Sequence, residues 1–122
     1  MKRDMDLIRK MVLLIEERPH GRATSDIEVD GYTDEQIGYH AYLLVDSGLA
    51  VGCDVTTRGS FGPEYIISYL TSAGHDFADA SRNETAWKKA KGIVREKAGS
   101  VTLEVMKQLL VSLLKQAIGL AG

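Results

Sequence analysis

The sequence predicts an α+β fold in which several helices accompany one antiparallel β-hairpin. Apolar residues recur at helical spacing in several segments, and after Gly48 the apolar period changes from about 3.6 residues to about 2. A loop of residues 57–63, which contains two glycines and a proline, separates two alternating segments. Alternation on both sides of such a loop predicts two strands that turn back on each other.

The composition is that of one soluble globular domain. The chain has 122 residues, of which 44% are hydrophobic and 26% charged, and its formal net charge is −2. Cys53 has no cysteine partner, which favours a reducing compartment. Carboxylates at Asp4 and Asp6 argue against a signal peptide, and charged residues within 101–120 argue against a transmembrane helix. We therefore expect a cytoplasmic chain that does not enter the membrane.

The first helix is predicted over residues 4–18, with Asp4 as its N-cap and Pro19 at its end. Its buried face is formed by apolar residues at the i, i+3, i+4, i+7 spacing: Ile8, Met11, Val12 and Ile15. Leu13 lies on the opposite, charged face. It is either an ordinary exposed leucine or a contact between subunits.

The second helix has well-defined ends. Before it, Ile27 and Val29 alternate with acidic residues, which predicts a short strand after a loop. Thr33 and Gln36 have the spacing of a capping box, so the helix begins there. Gly48 supplies the left-handed residue of a Schellman motif, so the helix ends there.

The hairpin and the later helices follow from the same rules. Residues 49–55 and 65–69 are the two predicted strands. Each later helix begins at a residue that can cap it: Thr71 or Ser72, then Asn83, then Ser100.

The last helix is apolar over more than half of its circumference. Its apolar line is formed by Leu103, Met106, Leu110 and Leu113. A helix of this kind either packs on the first helix of its own chain or pairs with a second copy. We expect a homo-oligomer, with Leu13 and the four residues of this line as its candidate contacts.

The order helix, short strand, helix, hairpin, helix is that of a winged-helix domain. Residues 43–50 resemble the end of a recognition helix running into the wing, and residues 69–74 resemble the segment that leaves the wing. Residues 1–81 carry this resemblance. Two to three helices are expected to follow the hairpin, and residues 82–122 are expected to form a C-terminal helical extension. Residues 19–32 are too few for the usual supporting helix, which we expect to be missing or vestigial.

The chain is also similar to domain-of-unknown-function family 2513, a family of short bacterial proteins often found in phages and prophages. The resemblance rests on residues 1–9, on residues 31–33 with Tyr39 and His40, and on residues 70–77 and 85–91. It covers most of the chain. It implies a winged-helix-like fold and an association with mobile elements, and it carries over no catalytic or binding residues.

Charge is distributed unevenly. Residues 23–57 contain seven carboxylates and no lysine or arginine, whereas residues 82–97 contain six basic and two acidic residues. The second helix would present Asp34 and Glu35 to phosphates, which disfavours DNA binding by that helix. The candidate nucleic-acid contacts are therefore Arg58 on the wing and Lys88, Lys91 and Arg95 on the basic helix. Trp87 either stacks on a base or packs in the core.

No catalytic, cofactor or metal motif is visible. The glycine-containing loop lacks the lysine of a phosphate-binding loop. Scattered ligands leave a zinc site as a remote alternative: His40, Cys53, His75 and Asp76. The sequence therefore predicts a protein-interaction module that has no catalytic activity, uses no cofactor and does not enter the membrane. Its protein partner is unidentified. The alternative is a winged-helix DNA-binding regulator that uses the wing and the helix at 82–97.

Overall fold

The computed structural model describes residues 1–19 and 27–119. Within these residues it contains five α-helices and one two-stranded antiparallel hairpin, which confirms the α+β class. The elements, in chain order, are α1 (Met5–Glu17), α2 (Asp34–Asp46), β1 (Ala50–Asp54), β2 (Tyr65–Leu70), α3 (Ser72–Ser81), α4 (Glu84–Lys97) and α5 (Leu103–Ala117). The chain forms two compact units, Met1–His75 and Asp76–Gly122, with the boundary inside α3.

Helix α2 has the two ends that its sequence predicts. The Thr33 hydroxyl accepts a hydrogen bond from the Gln36 backbone N–H at 3.2 Å, and the Gln36 side chain accepts one from the Thr33 N–H at 2.8 Å. At the other end Gly48 has φ of +79°, and the Leu49 N–H donates to the Leu44 carbonyl at 2.9 Å. This is the Schellman pattern, so local chemistry fixes both ends.

The hairpin pairs Ala50 with Leu70 and Asp54 with Tyr65. A bulge between Val51 and Gly52 shifts the register. One face of the sheet is buried in the interior of the first unit, and the opposite face, which includes Val51, is exposed. The hairpin therefore covers the core of this unit on one side only.

Each unit has its own buried apolar residues. Those of the first unit include Leu7, Ile8, Met11, Val12, Ile15, Ile37, Ala41, Leu44, Leu49, Ala50, Ile67 and Leu70. In the second unit Trp87 is 2% exposed and meets Phe77 edge-to-face, with the ring centroids 6.3 Å apart. Trp87 is thus a core residue and is not available to stack on a base.

The prediction of a strand at Ile27 and Val29 is wrong. Residues 27–29 form no strand, and the sheet of the described residues has two strands only. Ile27 is buried but does not pair with a strand. Its alternation with acidic residues therefore reflects the burial of its side chain and not the backbone hydrogen bonds of a sheet. The predicted loop at 20–22 lies outside the described residues. So does half of the stretch 19–32, in which the supporting helix is expected to be missing or vestigial; residues 27–33 contain no helix.

The predicted cap of the last helix is also wrong. The hydroxyl of Thr102, and not that of Ser100, accepts a hydrogen bond from the backbone N–H of Val105 at 3.1 Å. Gly99, with φ of +76°, lies just after the end of α4, and the residues that follow it connect α4 to α5. At the other helix starts, Thr71 caps α3 through the Gly74 N–H, and Asn83 caps α4 as expected.

Candidate functional site

A groove of about 500 Å³ lies between the N-terminal half of α2 and the loop that joins β1 to β2. We call it the α2–hairpin groove. Its apolar lining includes Ile27, Ile37, Ala41, Val55, Phe61, Pro63 and Tyr65. Among the described residues, its charged lining consists of Asp34, Glu35 and Glu64. The groove therefore offers an apolar interior with carboxylates beside it, and it lies wholly within the first unit.

The position of the hairpin loop depends on Gly38. A Cβ added to Gly38 would overlap the carbonyl oxygen of Pro63, so only glycine allows the loop to approach α2 this closely. By contrast, a Cβ on Gly62 would lie 3.5 Å from Cγ of Glu35, an ordinary contact. Gly38, in the middle of α2, thus determines how closely the hairpin loop lies against this helix.

The loop is also held by its own hydrogen bonds. The Val55 N–H donates to the Glu64 carbonyl at 2.8 Å, and the Glu64 N–H donates to the Thr56 hydroxyl at 3.0 Å. Further along, the Thr57 N–H donates to the Ser60 hydroxyl at 3.0 Å, and the Ser60 N–H donates to the Thr57 carbonyl at 3.1 Å. These bonds order the loop before any partner arrives.

Phe61 projects from this loop with 94% of its surface exposed. Burying a phenylalanine side chain contributes about 1.5–3 kcal/mol, and that contribution is unused in the isolated chain. Exposed aromatic side chains on ordered loops are typical anchors of protein interfaces. Phe61 is therefore the strongest candidate for a contact with a partner.

A row of half-exposed tyrosines extends from the groove across α2. The ring centroids of Tyr39 and Tyr42 are 6.1 Å apart, and those of Tyr42 and Tyr65 are 5.9 Å apart. Burial and the neighbouring Asp54 carboxylate raise the pKa of Tyr65. Hydrogen bonds from the hydroxyl and backbone N–H of Thr56 lower the pKa of Asp54, so this carboxylate is ionised at neutral pH.

The groove is anionic. Residues 27–75 contain seven carboxylates but a single lysine or arginine, Arg58. Within the described part of the chain, no cation lies at ion-pair distance from the side chains of Asp34, Glu35 or Glu64. These carboxylates are therefore available to a cationic partner.

A hydrogen-bonded network joins the start of α1 to α2. His40 is 1% exposed; its Nε2 accepts the backbone N–H of Asp4 at 2.8 Å, and its Nδ1 lies 2.8 Å from the Gln36 carbonyl. The ring is therefore the neutral tautomer with its proton on Nδ1. The Tyr32 hydroxyl donates to the Asp4 carboxylate at 3.0 Å. Burial, and then the hydrogen bond and charge of Asp4, raise the pKa of Tyr32.

The residues proposed to contact DNA fall in both units. Arg58 is exposed on the hairpin loop. Lys88 and Arg95 are exposed on α4, and Lys91 is half-buried. The ammonium of Lys88 lies 3.9 Å from the Glu84 carboxylate, a weak exposed pair. Three of the four candidates therefore share α4, away from the carboxylates of α2 in the sequence.

The proposed oligomer contacts are mostly covered by the chain itself. Leu103, Met106 and Leu110 are 6%, 1% and 0% exposed. Leu13 and Leu113 are half-buried. The apolar line of α5 therefore serves chiefly as core in the isolated chain, and little of it is left for a second copy.

Sequence reasoning missed the groove, Phe61 and the network around His40. Gly38 inside a well-capped helix was the available signal for a close backbone approach. Tyr32 and His40 occur in the segments that carry the family resemblance, but their spacing alone does not reveal a shared hydrogen-bond partner. Only the fold brings both of them to Asp4.

The described residues contain neither a metal cluster nor a membrane span. In residues 1–19 and 27–119, no three His, Cys, Asp or Glu side chains gather closely enough to hold a metal ion. His40 is buried and bonded to backbone, while Cys53 is exposed. No helix in the described ranges is both long enough and apolar enough to cross a bilayer.

The fold and the groove together define a small α+β protein with an acidic, partly apolar groove beside a β-hairpin. The family model described as "Hypothetical protein (DUF2513)" matches residues 2–100, and the chain belongs to this family. A similar protein is an uncharacterized protein of Haemophilus influenzae, 31% identical over 121 residues, an alignment that covers 97% of this chain and 99% of the relative. No solved structure matches the chain.

Proposed function

We propose that this chain is a non-catalytic protein-interaction module with a winged-helix-like arrangement, in which α2 corresponds to the recognition helix and the hairpin to the wing. Its α2–hairpin groove binds a basic segment of a partner protein. One observation carries this proposal: Phe61 is 94% exposed beside an apolar groove, and the charged residues that line this groove in residues 27–119 are all acidic.

Electrostatics favours a cationic protein over nucleic acid at this surface. Phosphates dominate the affinity of proteins for DNA, and a carboxylate about 4 Å from a phosphate costs about 1 kcal/mol even in water. Arg58 is the one lysine or arginine among residues 27–75. Lysine and arginine side chains, in contrast, can pair with Glu35 and Glu64 while their aliphatic stems cover Phe61. The tyrosine row adds faces for cation–π contacts.

Binding of a fluorescent nona-arginine peptide tests this proposal by anisotropy. We expect the chain to bind it, and we expect Phe61→Ser and the pair Glu35→Gln with Glu64→Gln each to weaken binding by about tenfold or more. The matched control is the pair Glu84→Gln with Glu104→Gln, which removes two exposed carboxylates from the second unit. Equal losses in the groove and control variants would contradict the proposal.

A DNA-binding regulator is the second candidate, because Lys88 and Arg95 are exposed on one helix. It would use Arg58 on the wing and the basic face of α4. A mobility shift of duplex DNA at about 50 mM salt tests it. A shift that disappears when Lys88, Lys91 and Arg95 are all replaced by alanine would favour this candidate. An unshifted duplex would leave the protein-interaction proposal standing.

The setting we propose is the cytoplasm of a phage- or prophage-carrying bacterium. The exposed free thiol of Cys53 supports a reducing compartment. The phage association rests on the family resemblance. Copurification of the tagged chain with cytoplasmic host or phage proteins from its native cell would test both statements.

A further inference from the structure

Helix α4 contains a glycine that its own unit does not require. A Cβ added to Gly92 would meet nothing within 4 Å in the described chain, and its φ is not in the left-handed region. Glycine is the poorest helix former after proline, so Gly92 weakens α4 without making room for any neighbour within the described chain. Lys88 and Arg95 lie four residues before and three residues after it, on the same exposed face.

We propose that a second copy of this chain is a partner of the α2–hairpin groove, and that it docks through α4. Phe61 of one copy sits over Gly92 of the other, and Lys88 and Arg95 face the carboxylates of Glu35 and Glu64. This inference rests on the proposed function, and it names the partner.

The shapes of the two surfaces fit this assignment. Phe61 is a protruding ring on an ordered loop. Gly92 leaves the backbone of α4 bare between two long side chains, which makes a depression of the kind that an aromatic knob fills. The aliphatic stems of Lys88 and Arg95 border that depression and can cover the edges of the ring.

The charges are also complementary. Residues 23–57 carry seven acidic and no basic side chains, a net charge of −7. Residues 82–97 carry six basic and two acidic side chains, a net charge of +4. Because the whole chain has a net charge of only −2, two copies repel each other weakly. Each copy has one groove and one α4, so a pair of copies carries two complementary pairs of surfaces.

Charge reversal tests the contact by complementation, with the mass in solution measured by sedimentation at about 50 mM salt. Variant A carries Glu35→Lys and Glu64→Lys, and variant B carries Lys88→Glu and Arg95→Glu. The wild-type chain is expected to dimerise and each variant alone to be monomeric. An equimolar mixture of A and B is expected to dimerise, because both contacts then pair opposite charges. A monomeric wild-type chain, or a mixture that stays monomeric although both variants are folded, would overturn the inference.

Gly92→Gln separates the interface from stability. Glutamine is a better helix former and has open space, so the variant is expected to raise Tm when both chains are measured at a concentration at which they are monomeric. The side chain fills the depression, so the dimer dissociation constant is expected to rise by at least about tenfold. A variant with a raised Tm and an unchanged dimer dissociation constant would contradict the placement of Phe61 over Gly92.

The two proposals fail differently. A wild-type chain that is monomeric but binds nona-arginine through the groove retains the proposed function and loses the second copy as partner. A chain that neither dimerises nor binds the peptide loses both.

Discussion

The backbone N–H of Asp4 donates a hydrogen bond of 2.8 Å to Nε2 of His40, a side chain that is 1% exposed. The bond links the cap of α1 to the middle of α2 across 36 residues of sequence. Since α2 forms one wall of the groove, this buried imidazole helps to fix the orientation of that wall relative to α1.

Replacement of His40 by alanine is expected to destabilise the chain by about 2–4 kcal/mol. The substitution leaves the Asp4 N–H without an acceptor and opens a cavity at a fully buried position. Urea unfolding measures the loss. His75→Ala is the control, since His75 is exposed and its replacement is expected to change the free energy of unfolding by less than about 0.5 kcal/mol. Equal effects of the two substitutions would contradict the role of the network.

Gly38 of α2 and Gly92 of α4 are expected to respond to alanine with opposite signs. Gly38→Ala drives a methyl group into the Pro63 carbonyl and should cost about 1–3 kcal/mol, in spite of the better helix propensity of alanine. Gly92→Ala meets nothing and should stabilise the chain by up to about 1 kcal/mol. Thermal unfolding of both variants checks the pair. Stabilisation by Gly38→Ala would mean that the loop does not lie on α2.

Tyr32→Phe is expected to change the alkaline limb of stability. Burial, more than any other cause, raises the folded pKa of Tyr32 above the ordinary tyrosine value of 10.0. Its contribution is therefore complete below pH 10.0 and is lost as the pH rises towards the folded pKa, because the unfolded chain ionises first. The variant should be less stable at neutral pH by about 0.5–1.5 kcal/mol, because it lacks the hydrogen bond to Asp4. Above pH 10.0, its free energy of unfolding should fall less steeply with pH than that of the wild type. Urea unfolding from neutral to alkaline pH measures both. Parallel curves for variant and wild type would contradict the assignment.

Thr56→Val is expected to raise the pKa of Asp54 towards the ordinary aspartate value of 3.8, because the hydrogen bond from the Thr56 hydroxyl is the main cause that lowers it. Asp54 with a lowered folded pKa stabilises the chain above pH 3.8, and that contribution fades as the pH falls through the folded pKa. The variant should also free the Glu64 N–H and loosen the hairpin loop. A carboxyl titration by NMR reads the pKa, and an unmoved value for Asp54 would show that other groups hold it down.

Helix ends were the most predictable part of the fold. Thr33 with Gln36 and Gly48 act on backbone groups a few residues away, so their effect can be read from a short segment. The strand expected at Ile27 required a neighbouring strand, which no local pattern specifies. Ser100 and Thr102 are both good caps, and the choice depends on how many residues are needed to leave α4.

The candidate site was less predictable because it is tertiary. The acidic character of the first unit follows directly from the sequence. The groove requires the approach of Pro63 to Gly38, and the exposure of Phe61 requires a loop folded by its own hydrogen bonds. Neither depends on periodicity, which is why a sequence pattern identified the charge of the surface but not its shape.

The most direct test of the central claim is a map of amide NMR shifts, recorded at about 50 mM salt with nona-arginine and then with duplex DNA. We expect the peptide to change the chemical shifts of backbone amides within residues 34–42 and 55–65. We expect the duplex to leave these chemical shifts unchanged. Shifts of these same amides by DNA, or peptide shifts confined to other parts of the chain, would contradict it.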